Sequence, residues 1–139
     1  MVVQFALLGL IFWLPDVVTW HFLPSSIGMI LKYFGFALLL WAGISLGRNL
    51  TPLPKPKTDA QLVTTGLFAW MRHPIYSALM LISFGSSLER GNLIAFALSL
   101  CLTILLEFKS RREEAWLCEQ FSGYAAYRLR VKKFFPGLY

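Results

Sequence analysis

The sequence predicts an all-α polytopic membrane protein, with about four transmembrane helices followed by an amphipathic helical segment on the cytoplasmic side. Three observations predict it. Hydrophobic residues make up 57% of the chain and charged residues 14%, whereas soluble domains carry charge on about a quarter of their positions. The apolar residues fall into four runs near the length that a bilayer's hydrocarbon core demands. The basic residues, which give a net charge of +6, gather beside those runs. In 139 residues no separate soluble domain fits, so 1–139 reads as one domain, with the lipid bilayer as a partner and no nucleic acid expected.

The first helix is expected over about 2–22, broken near its far end by Pro15 and Asp16. It lacks the basic start and small-residue cleavage site of a signal peptide and reads as retained. A second helix covers about 27–47, with Lys32 near enough to its end to snorkel. Residues 48–72 form a loop bearing Pro and Lys and no sustained apolar period. Helices three and four, about 74–88 and 92–108, are joined by Glu89-Arg90-Gly91. A link that short makes them an antiparallel hairpin. A charged tail, 109–139, follows, with a further helix from about Glu107 to Phe121. Cys101 and Cys118 have no metal-ligand spacing and read as free thiols, and no metal is expected.

Eleven basic residues lie on one face: Arg48, Lys55, Lys57, Arg72, Lys109, Arg111, Arg112, Arg128, Arg130, Lys132 and Lys133. Lys32 and Arg90 lie on the other. By the positive-inside rule both termini are cytoplasmic. An even number of crossings then separates Arg72 from Glu113, so loop and tail share one interface and can build one site.

Three clusters carry candidate chemistry. In Gly66–Tyr76, Arg72 and His73 precede Pro74 at the start of a helix, where free N–H groups favour an anion. The same residues also suit a plain interfacial belt, with Trp70 and Tyr76 at headgroup depth. Glu113-Glu114 could pair with neighbouring arginines and do nothing more. Phe121, Tyr124, Tyr127 or Arg128, and Val131 fall on one stripe of a helix, which fits an amphipathic interfacial segment.

Taken in order, these clusters resemble the isoprenylcysteine carboxyl methyltransferase family and its phospholipid methyltransferase relatives, over about the last 75 residues. The family pattern runs G-x-F-x-x-x-R-H-P-x-Y, then E-E-x-x-L-x-x-x-F, then Y-x-x-x-V-x-x-F-x-P. It is met by Gly66, Phe68, Arg72, His73, Pro74, Tyr76, Glu113, Glu114, Leu117, Phe121, Tyr127, Val131, Phe134 and Pro136. Phe121-Ser122-Gly123-Tyr124 is one residue shorter than the family usually has there.

The resemblance implies methyl transfer from S-adenosylmethionine to a small or lipid-like acceptor at the membrane interface. It also implies a cofactor site of Arg72, His73, Pro74, Tyr76, Glu113, Glu114, Phe121 and Tyr127. Phe68, Trp70, Phe121 and Tyr127 would supply walls, Arg72 and His73 would meet the cofactor's anionic end, and the two glutamates its ribose hydroxyls or ammonium. Arg128, with Glu114, is the candidate catalytic residue, orienting an anionic acceptor. Sterol reductases using NADPH also resemble this chain around Arg72-His73-Pro74 and in a final Pro136-Gly137-Leu138-Tyr139, and a non-catalytic protein retaining the fold is a third reading.

Overall fold

A computed structural model describes residues 2–20, 24–47 and 62–139. Residues 21–22, expected at the end of the first helix, and Arg48, Lys55 and Lys57 lie outside the described residues. The described residues form five α-helices in order: α1 Val2–Trp13, α2 Ser25–Leu46, α3 Pro74–Arg90, α4 Leu93–Gln120 and α5 Tyr124–Arg130, with a 3-10 turn at Gly66–Ala69 before α3. Among the described residues there is no β-strand, only isolated bridges.

Among the described residues two helices, α2 and α4, are long and apolar enough to cross a membrane. At 12 and 17 residues, α1 and α3 fall short of the ~20 that a full crossing takes. Where four spans are expected, the described residues hold two helices of spanning length and two shorter apolar ones. Large apolar side chains nevertheless face outward on α1, α2 and α4, among them Phe5, Ile30, Phe34, Ile44 and Ile104. That pattern suits lipid and not water.

The first helix stops well before residue 22. Only Leu14 separates its end from Pro15, and Arg90, at the end of α3, donates to the carbonyls of Ile11, Phe12 and Leu14. Those carbonyls would otherwise be left without partners at a helix end. Residues 15–20 clip onto the α3–α4 turn: Asn92 Nδ2 donates to Asp16 Oδ1 at 2.7 Å, Trp20 N–H to Gly91 O at 2.7 Å and Leu93 N–H to Val18 O at 3.0 Å. The hairpin forms as expected, with Gly91 at φ 61° closing α3 and the Asn92 side chain accepting from Ala95 N–H at 2.9 Å to open α4.

The fourth helix does not end at Phe108. It runs unbroken to Gln120, so the separate helix expected over 107–121 is its polar extension. The hydrogen-bond ladder carries straight through Lys109–Glu114, residues that favour helix well enough to need no break. The anticipated amphipathic tail helix is shorter than its stripe, since Phe121 precedes α5 and Val131 has already turned extended.

The innermost helix is α3, with α2 on one side and α4 on the other, and α1 lies against α4. Ile11, Tyr76, Met80, Leu102, Leu106 and Phe134 form one core, and Leu38, Ala42, Leu67, Met71 and Ala78 a second. Ser83 and Ser86 inside α3 bond carbonyls of their own helix, Met80 O and Ile82 O, so these two hydroxyls are satisfied without a partner from outside, whereas Ser77 donates to Phe134 O of the tail at 2.6 Å. Lys32 does not snorkel outward; it pairs with Glu89 of α3.

Helices α2 and α3 approach at backbone contact through glycine. A Cβ on Gly28 would lie 2.2 Å from Glu89 N, and one on Gly85 2.4 Å from Lys32 N. Small residues permit this approach, which dispersion rewards in a bilayer where hydrophobic driving force between helices is absent. Gly85→Leu and Gly28→Leu should each cost at least about 1–3 kcal/mol by overpacking. Gly43→Ala, with open space around its Cβ position, should cost nothing comparable. Thermal unfolding of the three variants in detergent checks this, and equal midpoints would contradict the packing assigned to α2 and α3.

Candidate functional site

Past Phe108 the apolar character of α4 ends, and Lys109, Arg111, Arg112, Glu113 and Glu114 occupy its next turns. The hairpin returns this end of α4 to the start of α3, beside Arg72 and His73. Glu114 is 1% exposed, and its carboxylate collects three cationic or cation-capable groups. Arg72 Nε donates to Oε1 at 2.8 Å, His73 Nε2 lies 3.1 Å from the same oxygen, and Arg128 Nε stands 3.4 Å from Oε2. The loop, helix and tail thus meet in one cluster.

Backbone geometry holds the cluster in place. Gly66 takes φ 61°, a left-handed conformation that glycine adopts without strain, and starts the 3-10 turn that buries Leu67 and Phe68. Pro74 at the first turn sets the start of α3. After α5 the chain runs extended beside residues 71–73, with Arg72 N–H donating to Lys132 O at 2.8 Å and His73 N–H to Lys133 O at 2.9 Å. Arg72 Nη1 also donates to Arg128 O at 2.9 Å and to Val131 O. One guanidinium therefore ties the carboxylate to two turns of the tail.

A second carboxylate sits beside the first. Tyr76 Oη donates to Glu113 Oε1, the His73 ring stacks on Tyr76 with centroids 5.3 Å apart, and His73 Nδ1 is 3.7 Å from Glu113 Oε2. The two glutamates differ sharply. Burial pushes the Glu113 carboxyl above the usual carboxylate range, against the hydrogen bond from Tyr76. Burial would raise Glu114 too, but hydrogen bonds from His73 and Arg72 outweigh it and bring the carboxyl down to about 2. Adjacent acids with environments that push them apart can take different roles, one a fixed counter-ion and one able to exchange a proton.

The other expected residues divide between wall and surface. Phe68 and Tyr127 are buried, with Tyr127 Oη donating to Phe68 O, and burial pushes the Tyr127 phenol up to about 12. Phe121 caps α4 and is half-buried. Trp70 points outward at 68% exposure. Arg128 keeps 54% of its side chain exposed, so one nitrogen faces Glu114 while the rest of the guanidinium stays open.

Two features were not anticipated from sequence. Glu107 accepts from Lys133 Nζ at 2.9 and 3.1 Å and from Tyr139 Oη at 3.0 Å, clamping the tail back onto α4. Tyr124 is 2% exposed, and among the described residues its Oη has no hydrogen-bond partner. Its electrostatic neighbours are Glu114, Arg72 and Tyr127. A buried hydroxyl without a partner is uncommon and marks a place where a further polar group fits. The stripe reading places Tyr124 on an interfacial face; α5 buries Tyr124 and Tyr127 on one side and exposes its other residues, so the same spacing turns inward against the protein.

The sequence model of the family described as phospholipid methyltransferase matches residues 24–123. The protein-S-isoprenylcysteine O-methyltransferase of Homo sapiens is 33% identical over 133 residues, covering 91% of this chain and 45% of that protein. Protein-S-isoprenylcysteine O-methyltransferase B of Arabidopsis thaliana is 33% identical over 122 residues, or 84% and 61%. The chain spans about half the length of the curated relatives it matches. A solved structure of the eukaryotic intramembrane Ras methyltransferase, isoprenylcysteine carboxyl methyltransferase, superposes with a TM-score of 0.75 at 25% identity, covering 99% of this chain and 50% of that one.

Because Arg72 carries both the ion pair and the tail carbonyls, Arg72→Ala should loosen residues 128–133 more than any other part of the chain. Removing one partner of a buried ion pair costs about 3–5 kcal/mol, and here the carbonyls of Arg128 and Val131 lose their donor as well. Limited trypsin digestion should cut the variant at Arg128, Arg130 or Lys132 under conditions that leave the parent intact. Unchanged digestion would show that the tail is held by other contacts.

Proposed function

The chain belongs to the phospholipid methyltransferase family, and from that premise we propose that it transfers a methyl group from S-adenosylmethionine to a small or lipid-like acceptor at the membrane interface. Residues 1–139 act as a single methyltransferase-like domain in this reading. The observation that carries it is the meeting of Arg72, His73 and Tyr76 with Glu113 and Glu114 at the end of α4, since those five residues are the polar core of the family pattern.

The residues present fit such a donor. The orphaned Tyr124 hydroxyl beside Glu114 and Arg72 offers a hydrogen bond to a ligand's polar group. Arg72 spends Nε and Nη1 on the protein and, among the described residues, makes no bond through Nη2, which leaves a donor for the methionyl carboxylate. Glu113 and Tyr76 suit the ammonium or ribose hydroxyls, while Phe121, Tyr127 and Phe68 give apolar walls. Pro74 fixes the turn that presents His73. When bound, the sulfonium supplies an already activated methyl group, so the protein's task is to align the acceptor and keep water away. Glu114, saturated by three partners, serves as the counter-ion that positions Arg72, His73 and Arg128. The open guanidinium of Arg128 orients an acceptor bearing a carboxylate or phosphate.

The relatives' names and the apolar helices support an integral membrane protein, and the basic face supports a cytoplasmic position for this site and for both termini. Cys118 is exposed at this end and provides a native probe. A membrane-impermeant maleimide should label Cys118 only when the cytoplasmic face is accessible; labelling from the outside alone would reverse the orientation.

Calorimetry with S-adenosylhomocysteine and tritium transfer from labelled S-adenosylmethionine into a lipid extract test the function together. Tyr124→Phe should leave the unliganded protein as stable or more so, because it removes an unsatisfied buried hydroxyl, and should weaken cofactor affinity about fivefold. Arg128→Ala should keep cofactor affinity and lose transfer at least tenfold, on the order of 1.4 kcal/mol in the barrier, with poor rescue by lysine. Absence of S-adenosylhomocysteine binding by the parent protein would overturn the assignment.

A further inference from the structure

Between α1 and α4 lies a cleft of about 320 Å³ that the proposed methyl-transfer site does not use. It straddles the point at which α4 changes character. Below that point its walls are Val3, Leu105 and Phe108; above it stand Lys109, Arg112 and Trp116. Lys109 and Arg112 are three residues apart and therefore share a helix face. Lys109 Nζ donates to Gln4 Oε1 at 2.9 Å, across the cleft, and Arg112 lies 5.8 Å from the Trp116 ring. Val3 and Phe108 are 59% and 62% exposed.

We propose that this cleft holds one anionic phospholipid, with its headgroup phosphate between Lys109 and Arg112 and the start of an acyl chain against Leu105, Phe108 and Val3. Charge complementarity selects the headgroup, because two cations face the cleft and no carboxylate lines it. The apolar wall selects a lipid over a soluble phosphate, which would leave Phe108 and Val3 in contact with water. The depth agrees, since Phe108 and Lys109 mark the passage from hydrocarbon to headgroup level along α4, and Trp116 is of the type that settles at that interface.

The cleft also reaches the other site. Lys109 Nζ sits 5.2 Å over the ring of Tyr76, whose hydroxyl donates to Glu113. A phosphate drawn to Lys109 competes with the Tyr76 face and with the Glu113 carboxylate for the same ammonium. Lipid occupancy therefore changes the electrostatic surroundings of Glu113, and this coupling, unlike the binding itself, rests on the methyltransferase reading.

Native mass spectrometry of the delipidated full chain, titrated with dioleoylphosphatidylglycerol or dioleoylphosphatidylcholine, tests the inference. One phosphatidylglycerol per chain should be retained, at least about tenfold more tightly than phosphatidylcholine. The double variant Lys109→Gln, Arg112→Gln should lose that preference, whereas Lys109→Arg, Arg112→Lys and the distant Arg130→Gln should keep it. Equal retention of the two lipids, or a preference that survives in the glutamine variant, overturns the proposal. So does displacement of phosphatidylglycerol by millimolar inorganic phosphate, which would reveal a plain anion site. S-adenosylhomocysteine binding measured on the same samples separates the two readings: retention of phosphatidylglycerol without cofactor binding sinks the methyltransferase assignment and leaves the lipid site standing.

Discussion

The Glu114 carboxylate is 1% exposed at the edge of a membrane helix, and a charge removed that far from water costs several kcal/mol unless it is paired and hydrogen-bonded. Its partners come from three places in the chain: Arg72 and His73 from the turn before α3, Arg128 from α5, and the main chain of the tail through Arg72. The charge acts together with Tyr127 donating to Phe68 O, Ser77 donating to Phe134 O and Lys133 donating to Glu107, which also hold the tail beside residues 71–73. The requirement to satisfy one acid thus helps set the path of the chain through α5 to Val131. It also keeps Arg72 and His73 from finding partners in lipid headgroups, the role an interfacial belt would give them.

The hairpin is what makes that pairing geometrically possible. Gly91 and Asn92 turn the chain so that α4 runs back along α3, and the 28 residues of α4 carry its charged end beyond the apolar stretch to the level of Arg72. A helix ending at Phe108 would have needed a loop to deliver Glu113 and Glu114, and a loop would not hold the two acids in different surroundings. On one continuous helix, successive residues point about 100° apart. Glu114 therefore faces Arg72 and the tail while Glu113 faces Tyr76, and this angular separation accounts for one carboxyl being lowered and its neighbour raised.

Much of this was legible from residue type and order. The hairpin could be read from Glu89-Arg90-Gly91, and it is this hairpin that brings the start of α3 and the charged end of α4 together. What was not legible depended on distant partners. Pro15 announced a break in α1 but not that Arg90 would cap the helix at once. Lys32 looked like a residue reaching for the interface, and only the close approach of Gly28 and Gly85 brings Glu89 within its range. Hydropathy cannot separate α1 and α3 from α2 and α4, because short apolar helices have the same composition as long ones. The stripe from Phe121 to Val131 assumed that helix would continue, whereas pairing with residues 71–73 pulls the chain extended from Val131 onward.

The distribution of satisfied and unsatisfied groups separates scaffold from chemistry. Glu114 and Tyr127 are fully engaged within the protein, and their loss would first be felt as loss of structure. Tyr124 and the outer half of Arg128 are the opposite case: each is held in position by neighbours that are themselves fixed, yet each leaves hydrogen-bonding capacity uncommitted beside the same carboxylate. A buried phenol without a partner destabilises the empty protein by roughly 1–3 kcal/mol. Such a cost is sustained where binding of a ligand repays it. The buried acid therefore does two things at once: it draws the tail into place, and it takes up the inner donors of Arg72, His73 and Arg128.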